Sequence, residues 1–153
     1  MSFVLKSTAF PNGGEIPRKY TCTGENISPA IIWSGAPSNA RSLALIADDP
    51  DAPAGTWTHW VMWNIPAQAG SLPEAVPPNE SLDNGARQGR NDFGRVGYDG
   101  PCPPPGRPHR YFFRAYALDA ALDVKAGAAR SELESAIKPH VVAQAEWMGM
   151  FKR

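Results

Sequence analysis

The stretch at residues 48–60, DDPDAPAGTWTHW, most constrains how this chain folds. It separates two apolar runs, residues 42–47 and 60–65, that are typical of buried strands. Proline fixes its own φ at about −65° and pushes the preceding residue toward extended geometry, so Pro50 and Pro53 stiffen the connection. An ordinary charged turn also favours Asp, Pro and Gly, but it needs no aromatic residues and no histidine directly after it. The pattern therefore predicts a rigid turn that presents carboxylates at one end of a strand pair.

The charge balance argues against a nucleic-acid or acidic-membrane partner. The 153 residues carry 15 Lys plus Arg and 15 Asp plus Glu, so no net field attracts a phosphate backbone. The N-terminus does not resemble a signal peptide, and no apolar run reaches the roughly 20 residues that a membrane span needs. We expect one domain, residues 1–153, without nucleic-acid binding and without integral membrane association.

The chain contains two cysteines, Cys22 and Cys102. Their wide spacing matches neither a disulfide framework nor a zinc motif. We therefore predict two free thiols in a reduced, cytoplasmic protein.

Strand patterns dominate the chain, and the clearest is the aromatic run at residues 109–118. Short strands are also predicted at residues 3–7 and 30–33, in addition to the two that flank the Asp-Pro turn. Residues 66–108 contain nine of the 16 prolines and seven of the 14 glycines, which favours an ordered loop with short strands over a helix.

Helix periodicity is confined to the C-terminal part of the chain. Ser131 and Glu134 have the spacing of a capping box, and the apolar residues Leu133 and Ile137 lie one turn apart. Pro139 would interrupt this helix, and a second helical stretch is predicted at residues 141–148. The whole pattern predicts a mainly β fold with small C-terminal helices.

Two of the three histidines follow proline-stiffened loops, and each begins an aromatic strand. Residues two apart in a strand share a face, so His109 and Tyr111 point the same way. If the two strands pair from that end, His59 converges with them, together with Asp49 and Asp51. A histidine at a strand end is often structural, but the repetition favours a functional site.

Several segments resemble the phosphatidylethanolamine-binding protein family and occur in its order: GENISPAIIW, DPDAP, a histidine–tryptophan pair, GPCPPPG and HRY. The short interval between Pro53 and His59, and the phrase NDFGRVGYDGPCPP, are similar to its bacterial and archaeal branch, the Raf kinase inhibitor-like proteins. The resemblance implies a β-sandwich of antiparallel sheets with Greek-key features and small C-terminal helices. It also implies a small pocket that holds phosphate-like or carboxylate anions.

The resemblance assigns the pocket to residues from three parts of the chain, namely Asp49, Asp51, Pro53, Trp57, His59, Cys102, Pro103, His109 and Tyr111. Two positions depart from the eukaryotic members, because Cys102 stands in place of a glycine and Thr58 in place of a frequent second histidine. Lipid-headgroup binding and kinase inhibition are therefore not carried over from those members.

Three classes of function fit these residues. Imidazoles and a phenol can bind an anion, and this is the reading that we favour. The same groups could act as general acid and base, but no nucleophile with a paired base is visible, so we predict no enzymatic activity and no cofactor. A metal site from two histidines and an aspartate lacks compact ligand spacing. The alternative is a regulator of protein partners such as a kinase or protease; a homodimer is a further expectation.

Overall fold

The structure is a computed structural model that describes residues 2–153. Its strands are β1 (Val4–Lys6), β2 (Gly14–Glu15), β3 (Ile31–Ser34), β4 (Ser42–Asp49), β5 (Trp57–Pro66), β6 (Ser71–Leu72), β7 (Arg87–Gln88), β8 (His109–Leu118) and β9 (Val141–Phe151). One α-helix, α1 (Arg130–Ile137), lies between β8 and β9, and three single 3-10 turns are at Arg18–Tyr20, Ala67–Ala69 and Lys138–His140.

The strands form two sheets, which confirms the predicted mainly β fold. The smaller sheet has the order β1-β3-β6, and the larger has the order β2-β9-β8-β4-β5-β7. All pairs are antiparallel except β2 with β9, which are parallel. Since β8 pairs with β4, the chain crosses the sheet after β5 and brings the start of β8 to the end of β4.

Strand β4 is buried along its whole length because both faces of the large sheet are covered. Leu43 and Leu45 pack into the core between the two sheets. Ala44 and Ile46 point to the opposite face and pack in a second core that includes Leu133 of α1. This explains the continuous apolar run, since a strand covered on one face only would alternate.

The predicted bounds of β8 are confirmed, and the Pro/Gly-rich segment holds only the short strands β6 and β7, as expected. The second C-terminal helix is a wrong prediction, because residues 141–151 form the long strand β9. Strand β9 pairs with β8 along its length, and Ala143, Ala145 and Trp147 pack against the inter-sheet core at a spacing of two. Pairing with β8 and packing against the core therefore outweigh the local helix propensity of residues 141–148.

Helix α1 has the predicted position but not the predicted cap. Its N-cap is Ala129, without a capping side chain, and Ser131 lies inside the first turn. The helix start is instead held by Arg130, whose Nη1 donates to Asp48 at 2.8 Å and to the Thr58 hydroxyl at 3.1 Å. Within residues 2–153, none of the helices combines the length and the apolar character needed to cross a bilayer.

The predicted free thiols are also wrong, because Cys22 and Cys102 form a disulfide with Cα atoms 5.4 Å apart. The separation of 80 residues between the two cysteines does not indicate their distance in space, because the loops that carry them run side by side. The backbone N–H of Cys22 donates to the carbonyl of Pro101 at 3.1 Å. The cytoplasmic location was inferred from free thiols; it stays a prediction and loses that support.

We expect thiol titration in denaturant without reductant to detect no free thiol, and titration after reduction to detect two. The double variant Cys22→Ser/Cys102→Ser should lose roughly 2–5 kcal/mol of unfolding free energy, because the cross-link closes a long loop. Urea denaturation of both proteins at one pH measures this difference. Two thiols before reduction, or equal stabilities, would contradict the disulfide.

Candidate functional site

A cavity of about 340 Å³ lies where β4 ends and where β5 and β8 begin. Its walls come from these strands and from two irregular loops, and the lining residues are Asp49, Ala52, Pro53, Ala54, Trp57, His59, Phe93, Cys102, Pro103, Pro104, His109 and Tyr111. Eight of the nine predicted residues are among them, and Asp51 is not. The structure therefore brings these eight residues together.

His109 and Asp49 form a buried pair in the lining of the cavity. Nδ1 of His109 lies 2.7 Å from Oδ2 of Asp49, and both side chains are buried. Oδ1 of Asp49 accepts the backbone N–H of Asp51 at 2.8 Å. Since the carboxylate accepts, Nδ1 of His109 carries the proton, and Nε2 is the ring nitrogen left for a ligand.

His59 is held by backbone groups instead of a carboxylate. Its Nδ1 lies 2.7 Å from the carbonyl oxygen of Asp99, whose N–H donates to the His59 carbonyl at 3.1 Å. Burial lowers the pKa of His59, although this hydrogen bond and the charges of Asp49, Asp99 and Asp48 act in the opposite direction. Burial therefore lowers the pKa of His59 by more than the nearby carboxylates raise it.

Tyr111 lies between the two imidazoles and is only 3% exposed. Its ring is edge-on to His59, with centroids 5.4 Å apart, and stacked with His109 at 6.5 Å. Its hydroxyl has no hydrogen-bond partner among residues 2–153. Burial is the main cause that raises the pKa of the phenol, followed by the charge of Asp49 and the approach of its carboxylate to the hydroxyl, so Tyr111 remains a neutral donor beside Asp49.

Asp51 stabilises the turn instead of lining the cavity. Its carboxylate accepts two hydrogen bonds from the guanidinium of Arg110, at 2.8 and 2.9 Å, and one from the Arg110 backbone N–H at 2.9 Å. The hydrogen bonds from Arg110 lower the pKa of Asp51 to about 2. Its predicted place in the pocket is corrected for this reason: it fixes the turn against β8.

Sequence reasoning missed four lining residues: Ala52, Ala54, Phe93 and Pro104. Phe93 is the most informative, because its ring is 36% exposed and edge-on to Trp57, with centroids 5.5 Å apart. Its backbone N–H donates to Oδ1 of Asn91 at 2.9 Å, which fixes the tip of the loop. An aromatic residue in a polar, glycine-rich loop was the available signal.

The loop at residues 91–99 is held by the carboxylate of Asp99. Arg95 donates to both oxygens, at 2.9 and 2.7 Å, while Asn91 and Asn26 donate at 2.8 and 3.1 Å. Burial alone would raise the pKa of Asp99, but the hydrogen bonds from Arg95 and Asn91, with the charge of Arg95, lower it. The carbonyl that orients His59 therefore belongs to a fixed residue.

The opposite wall is braced by the disulfide of Cys102. The hydroxyl of Tyr98 donates to the carbonyl of Tyr20 at 2.6 Å, next to this cross-link. Gly100 lies so close to Tyr20 that a Cβ at this position would overlap its carbonyl oxygen. Only glycine therefore permits this approach of the two loops.

The lining residues include no lysine or arginine. Within residues 2–153, no group of three or more His, Cys, Asp and Glu side chains is placed to hold a metal ion. The polar side-chain groups of the cavity are thus two imidazoles, one carboxylate that is already paired, one phenol and the indole N–H of Trp57. These groups can bind a ligand through hydrogen bonds.

The lowered pKa of His59 predicts a loss of stability in acid. Below about pH 6.5 the unfolded chain protonates this imidazole while the folded protein does not, so protons favour unfolding until the pH reaches the lowered pKa. His59→Asn keeps a donor for the Asp99 carbonyl but does not titrate. We expect urea midpoints between about pH 7 and pH 5 to fall more steeply for the wild type than for His59→Asn.

His140→Asn is the control, because this exposed imidazole pairs with Asp119, away from the cavity residues. The urea midpoint of His140→Asn should fall with pH as steeply as that of the wild type, and more steeply than that of His59→Asn. Equal pH profiles for the wild type and His59→Asn would contradict a lowered pKa.

The comparisons with known proteins agree with the sequence resemblance. The phosphatidylethanolamine-binding protein family matches residues 6–152. A UPF0098 protein from Methanothermobacter thermautotrophicus is 52% identical over 149 residues, which cover 97% of this chain and 98% of that protein.

Solved structures show the same fold. A phosphatidylethanolamine-binding protein homolog from Chlamydia trachomatis, CT736, has a TM-score of 0.91 at 39% identity, covering 99% of this chain and 98% of that one. YbcL from E. coli, described as a member of the mammalian family, has a TM-score of 0.92 at 33% identity, covering 100% and 99%. The chain therefore belongs to the phosphatidylethanolamine-binding protein family.

Proposed function

We propose that this protein is a non-enzymatic binding protein that holds a small oxyanion, of the phosphate or carboxylate type, between His59, His109 and Tyr111. The observation that carries the proposal is the buried hydroxyl of Tyr111, which has no partner. Leaving such a donor unpaired costs about 1–3 kcal/mol, and a ligand oxygen in the cavity would remove this cost.

The arrangement of the three rings supports this proposal. Each imidazole already uses Nδ1 for a protein partner, so its Nε2 is the remaining polar atom. The ring of Tyr111 contacts both imidazoles. Three side-chain polar atoms, Nε2 of each histidine and the hydroxyl oxygen of Tyr111, therefore belong to residues of one cavity. Its volume suits a small ligand.

The rest of the lining is largely apolar. Pro53, Trp57, Phe93 and Pro103 surround the polar groups, with alanines of the Asp-Pro turn. Such walls exclude water and strengthen the hydrogen bonds made inside. They also leave room for an organic substituent on the anion.

The enzyme alternative lacks a nucleophile. The pair Asp49–His109 could act as a general base, but in the hydrogen bonds of residues 2–153 neither imidazole contacts a serine or threonine hydroxyl. Cys102, the one thiol considered, is oxidised in the disulfide. No contact favours the partner-regulating alternative, so a kinase partner, a homodimer and a cytoplasmic location stay predictions.

Replacing Tyr111 with phenylalanine removes a buried hydroxyl that makes no hydrogen bond of good geometry among residues 2–153. Tyr111→Phe should fold with about wild-type stability, yet bind inorganic phosphate roughly tenfold to a hundredfold more weakly, because it loses one hydrogen bond to a charged ligand. Isothermal titration calorimetry measures the affinity. Binding should also tighten from about pH 8 to pH 6, since added protons reduce the repulsion between acceptor groups and the anion.

Tyr116→Phe is the matched control, because this tyrosine lies on the opposite face of β8. It should leave phosphate affinity unchanged. Equal losses in both variants, or a wild type whose affinity does not depend on pH, would place the site elsewhere.

We also expect no efficient hydrolase activity. Wild type and His59→Ala should turn over a panel of phosphate and carboxylic esters at the same background rate, because no nucleophile is paired with a base. Initial rates at several pH values measure this. A clear rate that disappears in His59→Ala would assign the protein to the enzyme class instead.

A further inference from the structure

We propose, on the basis of the oxyanion site above, that His59 is a specificity-determining hydrogen-bond acceptor. The cavity then selects a phosphate monoester in its singly protonated form, whose own P–OH donates to Nε2 of His59. Its unprotonated oxygens accept from the hydroxyl of Tyr111. The proposal adds to the oxyanion site a requirement on the ligand: it must bring a proton.

The tautomer of His59 follows from its contact with a backbone carbonyl. A carbonyl oxygen can only accept, so the 2.7 Å contact with Asp99 requires a proton on Nδ1. In the neutral ring Nε2 then carries a lone pair and no hydrogen. The carbonyl is held in place because the backbone N–H of Asp99 donates back to the His59 carbonyl. The ring therefore cannot offer Nε2–H to an anion unless it becomes charged.

Protonating the buried imidazole of His59 is unfavourable. The charges that act on His59 are the carboxylates of Asp49 and Asp99, and more weakly that of Asp48 on the other face of the sheet. Arg95 is bound to Asp99, and the rings of Phe93 and Tyr111 lie beside the imidazole. The carboxylates favour the imidazolium, but burial outweighs them and lowers the pKa of His59. The neutral acceptor is thus the favoured state of the empty site near neutral pH.

The β8 side of the cavity, with Tyr111 and His109, differs from the His59 side. Tyr111 supplies an O–H that is not used inside the protein. The Nδ1 partner of His109 is the carboxylate of Asp49, at 2.7 Å, whereas that of His59 is a backbone carbonyl. Nε2 of His59 therefore accepts, and the hydroxyl of Tyr111 donates.

A singly protonated phosphate monoester matches this polarity. It has one P–OH and two unprotonated oxygens, and its second pKa is about 6. A sulfate monoester or a phosphodiester has the same single charge and a tetrahedral centre but no O–H. Such a ligand would place an oxygen lone pair against the lone pair of Nε2, and no lysine or arginine of the lining offsets the repulsion.

Three ligands of equal charge test the proposal: methyl phosphate, methyl sulfate and dimethyl phosphate at about pH 5.5, where the first is mainly monoanionic. We expect methyl phosphate to bind at least tenfold more tightly than the other two, since a site built to bond an O–H rejects analogues that lack it. Calorimetry in two buffers of different ionisation enthalpy should show no net proton uptake with methyl phosphate.

His59→Gln provides the second arm, because the glutamine amide can turn a donor toward the ligand. The preference for methyl phosphate over methyl sulfate should fall to within about threefold in this variant. His140→Gln should keep the wild-type preference. Thermal unfolding of each variant verifies the fold.

The outcomes separate the two proposals. If methyl sulfate and dimethyl phosphate bind as tightly as methyl phosphate, with uptake of one proton, His59 acts as an imidazolium donor; this inference is overturned and the oxyanion site stands. An unchanged preference in folded His59→Gln would also overturn it. If none of the three ligands binds, both proposals fail.

Discussion

Two adjacent buried carboxylates at the end of β4 are the constraint on which the rest of the site depends. Asp48 and Asp49 are 2% and 3% exposed and point to opposite faces of the large sheet. A buried charge is tolerated only when it is paired, so each face must supply partners. Two arginines, from β8 and α1, bind Asp48 on one face, while His109 and a turn N–H bind Asp49 on the other. The same pairings dock the helix and the turn, so fold and site share these contacts.

The other side of the cavity depends on cross-links, because its loops contain little regular structure. The disulfide joins Cys102 to the loop of Cys22, and the backbone of Asp99 pairs with that of His59. These contacts hold the loops against strand β5, although they lie far apart in sequence. The donors and acceptors of the cavity are therefore fixed before any ligand arrives, which reduces the ordering cost of binding.

Local patterns predicted most of the strands, and the family resemblance assigned eight of the residues that line the cavity, whereas the failures came from contacts distant in sequence. The aromatic run of β8 and the proline-stiffened turn each determine their own geometry, so their positions were correct. The sequence of β9 has a local helix pattern, but in the structure it forms a strand because it pairs with the edge of β8. The pairing of Cys22 with Cys102 depends on how two loops meet, and that of Asp51 with Arg110 on how the turn packs against the start of β8. The pKa of His59 depends on burial, which no local pattern shows.

The use of arginine explains the chemical character of the cavity. Four arginines near these elements are each bound to carboxylates of the protein, in the pairs Arg95–Asp99, Arg110–Asp51, Arg114–Asp48 and Arg130–Asp48. None of them lines the cavity, so no fixed cation faces its interior. Under the proposed function, discrimination between anions would have to arise at contact, from the direction of each hydrogen bond and from the proton that either the ligand or an imidazole carries. An arginine added to the lining would favour anions in general and would remove this dependence on protonation.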